Sequence, residues 1–315
     1  MVFAALPDPS WLADVGPVPG IDAVVWDPKD PAPRVPVEVV VAPYIGAARH
    51  IANVATLPGV RLVQLLTAGF DGILEQLPSR IAVANAAGLH DDSTAELAVA
   101  LTLAAQRGIP DIVRDQGRGH WPGPIWRPSL ADRRVLLVGY GSVGRAIVRR
   151  LLPFGAEVTA VASRPRPGDD LVELVRGVEE LPILLRDSEI VIVVVPLRSQ
   201  TYRLVDDAFL AALPDDALVV NVARGPVADT DAILRQAGRL RFALDVTDPE
   251  PLPPGHPLWS APGVLISPHV GGLSSAMRPR ALRLLRDQLG RVGAGDEPVN
   301  IVGHGRLGED GRDGP

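Results

Sequence analysis

Short apolar runs, each closed by a cluster of Gly, Pro, Asn, Asp or Ser, punctuate the chain from end to end. Before residue 90 they fall at Ala23–Trp26, Val37–Val41, Val60–Leu66 and Ile81–Ala84, with helix-like or turn segments between them. Runs this short and this uniformly apolar suit strands buried on both faces, and their alternation with helical stretches predicts a parallel sheet in a small α/β domain. A second series follows at Val135–Val138, Val158–Ala162, Ile190–Val195, Leu218–Val222, Phe242–Val246 and Val264–Ile266. Helical patterns separate most of these, including Asp206–Leu213 and Asp229–Ala237, the latter stopped by Gly238. Strands with such crossovers make up a doubly wound, Rossmann-type nucleotide-binding domain.

Between the two series, Ser93-Thr94-Ala95-Glu96 reads as a capping box, and Leu97, Leu101 and Ala105 recur at helical spacing until Arg107, Gly108 and Pro110 close the helix. This helix is expected to carry the chain into the second domain, with Glu96 satisfying a backbone N–H rather than doing chemistry. Gly117–Pro128 is rich in Gly, Pro and Trp, and Trp121 and Trp126 are expected to be packing anchors. Ala276–Leu289 reads as a further helix with Leu282, Leu285 and Leu289 on one side. From Gly303 the chain has little to bury, and a disordered tail, 303–315, is expected, in which His304 is solvated.

The most specific stretch is V-L-L-V-G-Y-G-S-V-G-R-A-I-V-R-R-L, Val135–Leu151. An apolar strand runs straight into Gly139-x-Gly141-x-x-Gly144, and Val143, Ile147 and Leu151 then repeat every fourth residue. The first glycine permits the tight turn, the second admits a pyrophosphate close to the backbone, and the third lets helix and strand pack. Glycine turns end many strands; the strand-turn-helix context makes this one a dinucleotide site. An acidic residue roughly 20 positions after the glycines would bind the ribose 2′-OH of NAD. Ser163 stands there instead, followed by Arg164 and Arg166. A hydroxyl and guanidinium groups suit a 2′-phosphate, which predicts NADP(H) in preference to NAD(H).

Composition narrows the partners. The net charge of −6 leaves no basic excess for a nucleic acid or an anionic membrane, which points to a small-molecule ligand. The absence of cysteine removes disulfides and thiolate catalysis and fits a reducing compartment. No apolar run approaches the about 18 residues of a membrane span, and Met1–Gly20, broken by Pro7, Pro9, Pro17 and Pro19, is not a signal peptide. A soluble, cytoplasmic protein is expected. No cysteine and no paired histidine spacing offer a metal site.

Polar residues cluster where apolar strands end: Asn221-Val222-Ala223-Arg224-Gly225-Pro226, Asp245-Val246-Thr247-Asp248-Pro249-Glu250-Pro251 and Ser267-Pro268-His269-Val270-Gly271-Gly272. In an open α/β sheet these ends meet at the ligand crevice, so Arg224, Glu250 and His269 are expected to converge. Thr67-Ala68-Gly69-Phe70-Asp71 ends another strand, where it is either an anion-facing backbone or an ordinary turn. His50, His90, His120 and His256 lack such settings and read as structural.

With V-G-Y-G-S-V-G, N-V-A-R-G, L-D-V-x-x-x-E-P and S-P-H-V-G-G in this order and spacing, the chain resembles the D-isomer-specific 2-hydroxyacid dehydrogenases, the family of phosphoglycerate dehydrogenase and glyoxylate/hydroxypyruvate reductase, from about Val37 to Val302. The resemblance implies a catalytic arginine at Arg224, a glutamate at Glu250 and an acid/base histidine at His269. It implies a cofactor along Gly139, Gly141, Ser142, Val143, Gly144, Ser163, Arg164, Val195, Pro196, Val222, Ala223, Asp245, His269, Gly271 and Gly272, with Asp245 near the nicotinamide. It implies a substrate carboxylate at Ala68 and Gly69 with Asn85, a dinucleotide-binding domain, 93–272, inserted into a discontinuous, flavodoxin-like substrate-binding domain, 1–92 with 273–302, and a homodimer. Ser163 departs from the family's acid, and Val194 from a position where many relatives are polar. The chemistry suits the residue types: histidine protonates a carbonyl oxygen near neutral pH, a carboxylate orients the ring, and arginine pairs with a carboxylate. The expected activity is NADPH-linked reduction of glyoxylate or hydroxypyruvate; phosphoglycerate oxidation, and a dinucleotide-sensing corepressor or scaffold with little turnover, are the alternatives.

Overall fold

The computed structural model describes residues 1–307, and the chain divides into two compact units, Met1–His90 with the chain from Ser275 on, and Asp91–Ser274. The first unit opens with β1 (Val2–Leu6), α1 (Pro9–Val15), β2 (Ile21–Val25), β3 (Val39–Val41), α2 (Ala47–His50), β4 (Leu62–Gln64) and β5 (Ala82–Ala84). The first strand was not anticipated in the proline-interrupted N-terminus. The prolines flank the elements instead of breaking them: Asp8 caps α1 by accepting from the N–H groups of Ser10 and Trp11, and Pro9 occupies the first turn, where no donor is needed. Strands β1 to β5 pair in parallel in the order β5-β4-β3-β1-β2.

The second unit holds α3 (Asp91–Arg107), α4 (Ile109–Gly117), β6 (Arg134–Val138), α5 (Ser142–Leu151), β7 (Glu157–Ala162), β8 (Arg166–Pro167), β9 (Leu174–Gly177), α6 (Leu181–Leu184), β10 (Ile190–Val193), α7 (Asp207–Ala211), β11 (Leu218–Asn221), α8 (Thr230–Gln236), β12 (Arg241–Leu244) and β13 (Val264–Ile266). Its sheet runs β13-β12-β11-β10-β6-β7-β9-β8, all parallel except the β8–β9 pair. The apolar runs of the sequence are the central strands, and their side chains divide between two cores. Val135 and Leu137 join Ile147 and Val99 on one face, Leu136 and Val138 join Phe209 and Ile233 on the other. The two added strands are short and half polar, so no apolar run marks them.

Three expectations need correction here. Helix α3 begins at Asp91, so Ser93 is not its cap: its Oγ lies 2.5 Å from Ser274 Oγ, and Glu96 is exposed. Asp91 and Asp92 supply the negative charge that a helix N-terminus favours. Trp121 and Trp126 are not packing anchors within the chain; they are 94% and 99% exposed.

The chain then returns to the first unit with α9 (Met277–Ala294) and β14 (Ile301–His304). Helix α9 buries Leu285 and Leu289 against β1, β3 and β4 side chains, and β14 pairs antiparallel with β5. The disordered tail is the third correction. Gly305, Arg306 and Leu307 donate backbone hydrogen bonds to Ile81, Leu74 and Leu77, so main-chain pairing orders a segment whose side chains bury little. His304 is exposed, as expected, and residues 308–315 of the expected tail lie outside the described residues. Among the described residues no helix is long and apolar enough to cross a membrane.

Candidate active site and cofactor turn

Because β6, β7, β10, β11, β12 and β13 run parallel, their carboxyl ends lie along one edge of the sheet. Along that edge come the glycine turn, Ser163–Arg164, Val195–Pro196, Val222–Arg224, Asp245 and the segment His269–Gly272. This is where an open α/β sheet binds its ligand.

The glycines of the turn do different things. Gly139 sits at φ +113, and a Cβ there would come within 2.5 Å of Val194 O; a Cβ on Gly144 would meet Gly139 O at 2.2 Å. Both are required by the fold. A Cβ on Gly141 would touch no protein atom, so the protein's own packing does not demand glycine there. Gly141 is the N-cap of α5 and gives it no side-chain cap, which leaves the first N–H groups of the helix, from Ser142 and Val143, to a ligand. The turn thus fits a pyrophosphate on independent grounds. Tyr140, between the glycines, is buried; its hydroxyl donates to Asp169 Oδ1 at 2.7 Å, and burial together with that carboxylate pushes its pKa up to about 12.

Of the two arginines after Ser163, Arg166 donates to the Tyr140 carbonyl at 2.7 Å, which ties β8 to the glycine turn. Ser163 and Arg164 are exposed at the end of β7.

The triad is assembled by three loops. On the first, Asn221 is buried, accepts from Ala223 N and donates to Arg224 O, which shapes the turn that presents the half-buried Arg224. Gly225 presses this turn onto the second loop: a Cβ there would lie 1.9 Å from Thr247 O. That contact brings Arg224 beside the loop that carries Glu250. On the third loop, His269 adopts φ +53, a left-handed conformation that costs a non-glycine residue about 1 kcal/mol. Asp245 holds it there. Its carbonyl accepts the His269 N–H at 2.8 Å, its Oδ1 accepts from Val270 N and Ser267 Oγ, and its Oδ2 accepts from Gly271 N.

His269 Nδ1 meets Glu250 Oε1 at 2.5 Å. The Glu250 hydrogen bond raises the His269 pKa above its ordinary value, outweighing partial burial and the positive charge of Arg224. Burial pushes Glu250 up, but the hydrogen bond to His269, the histidine's charge, the Thr247 backbone N–H and the charge of Arg224 together carry it below the ordinary carboxylate range. Arg224 therefore acts electrostatically on both partners. Arg224, Glu250 and His269, chosen from sequence, come together; Asp245, assigned to the cofactor from sequence, has its carboxylate occupied by the His269 loop. Asn221 and the anchoring part of Asp245 went unrecognised, and the only signal was a polar residue closing each apolar run.

In the first unit, Ala68 is exposed, and the carbonyls of its turn are all engaged. Leu66 O accepts from His90 Nε2, Thr67 O from Ala86 N, Ala68 O from Asn85 Nδ2 and Gly69 O from Thr67 Oγ1. The N–H groups of Ala68 and Gly69 have no hydrogen-bond partner among the described residues. Among those residues no group of three or more His, Asp or Glu side chains is placed to hold a metal ion.

A glycine turn at a helix N-terminus, and a paired histidine and glutamate at the same sheet edge, define a nicotinamide-dinucleotide-dependent oxidoreductase. The family model for the D-isomer specific 2-hydroxyacid dehydrogenase NAD binding domain matches residues 99–271. Over 255 residues the chain is 32% identical to a glyoxylate reductase of Thermofilum pendens, covering 78% of this chain and 75% of the relative. Over 270 residues it is 31% identical to the mouse glyoxylate reductase/hydroxypyruvate reductase, covering 80% and 82%. Among solved structures, an NADPH-dependent glyoxylate/hydroxypyruvate reductase of Sinorhizobium meliloti in complex with citrate superposes with a TM-score of 0.81 at 25% identity, over 96% of this chain and 98% of that one. A D-isomer specific 2-hydroxyacid dehydrogenase of Xanthobacter autotrophicus in complex with NADPH and MES gives 0.78 at 28% identity, over 96% and 97%. The chain belongs to the D-isomer specific 2-hydroxyacid dehydrogenases, enzymes that work with a nicotinamide dinucleotide.

Proposed function

We propose that this protein is a cytoplasmic reductase of short 2-oxo acids, with glyoxylate and hydroxypyruvate as its substrates and NADPH as its preferred cofactor. The observation that carries the reading is the His269–Glu250 pair with the charge of Arg224 acting on both. When bound, the dinucleotide supplies the hydride. Glu250 holds Nδ1 of His269, which leaves Nε2 to give its proton to the substrate carbonyl oxygen. The imidazole ends neutral, with Nδ1–H still on Glu250. Arg224 polarises the substrate carbonyl, and in the first unit the N–H groups of Ala68 and Gly69, backed by Asn85, are those offered to a carboxylate.

Exposed Ser163 and Arg164, with no carboxylate in place of Ser163, support the NADPH preference. Two of the solved relatives are described with NADPH. A homodimer is part of the same proposal. Ile109, Ile112 and Val113 on α4 are exposed together with Trp121, Ile125 and Trp126, an apolar set that a second copy would cover. Steady-state oxidation of NADPH against glyoxylate, hydroxypyruvate and longer 2-oxo acids tests the reading. Turnover is expected with the two short acids. Its absence with every acid, alongside measurable dinucleotide binding, would turn the assignment to a sensor or scaffold.

A further inference from the structure

Behind the Ala68–Gly69 turn lies a group of buried amides of which the proposed reaction calls on Asn85 alone. Gln64 and Gln288 are each 1% exposed and Asn85 8%, beside a core of apolar side chains. Uncharged amides this deep are retained at a cost unless all their hydrogen bonds are made. Here they are made in a connected series. Gln288, on α9, grips Val299 at both backbone groups, accepting its N–H at 2.8 Å and donating to its carbonyl at 3.0 Å. The same Nε2 donates to Gln64 Oε1 at 2.7 Å. Gln64 passes its own Nε2 to Leu65 O and to Asn85 O, at 2.8 and 3.1 Å. The next residue after Val299, Asn300, accepts the Asn85 N–H at 3.0 Å.

Asn85 is therefore held at its N–H through Val299–Asn300 and at its carbonyl through Gln64, and both holds start from Gln288. With the backbone fixed, the Asn85 side chain is aimed: Nδ2 donates to Ala68 O at 2.7 Å and Oδ1 accepts from Ala87 N at 3.2 Å. Drawing the Ala68 carbonyl inward turns the peptide that follows it, and so sets the direction of the Gly69 N–H. We infer that Gln288 and Gln64 are positioning residues for the Ala68–Gly69 amides, acting through Asn85 on a substrate carboxylate. The inference rests on the carboxylate role proposed above for that turn. It assigns a part in substrate affinity to a side chain more than 200 positions from Ala68 in sequence, brought in by the return of α9 to the first unit.

Gln288→Met keeps the length of the side chain and removes both the donor and the acceptor. It is expected to raise KM for glyoxylate roughly tenfold, because small misplacements of aligned groups are costly, with kcat at saturation and KM for NADPH within about twofold of the parent. Calorimetric titration of oxalate into the NADP+-saturated protein is expected to show the same loss of affinity without turnover. An unchanged KM and oxalate affinity, or a fall in kcat, cofactor affinity and melting temperature together, would overturn the inference and indicate a merely structural amide. Should Gln288→Met not fold, Gln64→Met removes the middle of the series, which donates to Asn85 O and accepts from Gln288, and carries the same expectation. A parent protein that reduces no 2-oxo acid but still loses oxalate affinity on substitution sinks the proposed activity alone. One that binds no oxalate sinks the positioning role.

Discussion

His269 Nδ1 and Glu250 Oε1 lie 2.5 Å apart, on loops that follow different strands of the same sheet. The contact occupies Nδ1, leaving Nε2 as the ring nitrogen that the proposed reaction uses, and raises the pKa of the imidazole. Reduction needs the protonated ring, so reductive kcat/KM should hold through neutral pH and decline as pH climbs through the raised pKa. Replacing Glu250 by Gln removes the carboxylate whose hydrogen bond and charge raise it. In Glu250→Gln the decline should begin at lower pH, with kcat reduced about 10- to 100-fold. Coincident pH profiles for parent and variant would dissociate Glu250 from the proton transfer.

His269→Ala should lower kcat by about three orders of magnitude while NADPH binding, measured by fluorescence titration, stays nearly intact. The φ of +53 adds a second expectation. Alanine inherits the left-handed strain and glycine does not, so His269→Gly should be more stable than His269→Ala by about 1 kcal/mol in urea unfolding. Equal stabilities would mean the loop relaxes once the imidazole is gone.

Asp245 is 3% exposed and its carboxylate accepts from three groups of the His269 loop. Asp245→Asn keeps the shape but turns one acceptor into a donor facing an N–H. A loss of about 2 to 4 kcal/mol is expected, since each hydrogen bond to a buried carboxylate contributes about 1.5 to 3. Activity should fall further than the folded fraction accounts for, because His269 is displaced. A stable, fully active Asp245→Asn would show that the loop holds itself.

Ser163→Asp tests the cofactor preference. A carboxylate at the end of β7 repels a 2′-phosphate and accepts from a ribose hydroxyl, so kcat/KM for NADPH should drop about 100-fold and that for NADH should rise. Arg164→Ala should weaken NADPH alone. If neither substitution alters the ratio, the phosphate is bound elsewhere.

The double substitution Trp121→Ser, Trp126→Ser removes the two most exposed aromatic side chains of the apolar set. Sedimentation velocity should then show monomer where the parent shows dimer, with each chain still folded. A dimer that survives would place the interface on another surface.

Much of this protein was legible in its amino-acid string, and the reason is local. Buried parallel strands must be apolar throughout and a dinucleotide turn must be glycine at fixed offsets, so Val135–Val138 and Gly139–Gly144 declare themselves by residue type and spacing, and the polar residues that close later apolar runs mark the edge where Glu250 and His269 meet. What sequence left open is what depends on partners distant along the chain. Asp245 clamps a loop more than 20 residues on, Gln288 reaches Gln64 across the first unit, and β14 is ordered by the backbone of β5 rather than by its own side chains. Trp121 and Trp126 carry the same lesson in reverse: an aromatic residue predicts burial, but only the surrounding chain decides whether anything is there to bury it. Hydrogen bonds and contacts between remote segments leave no period or spacing to read, and the folded chain alone determines them.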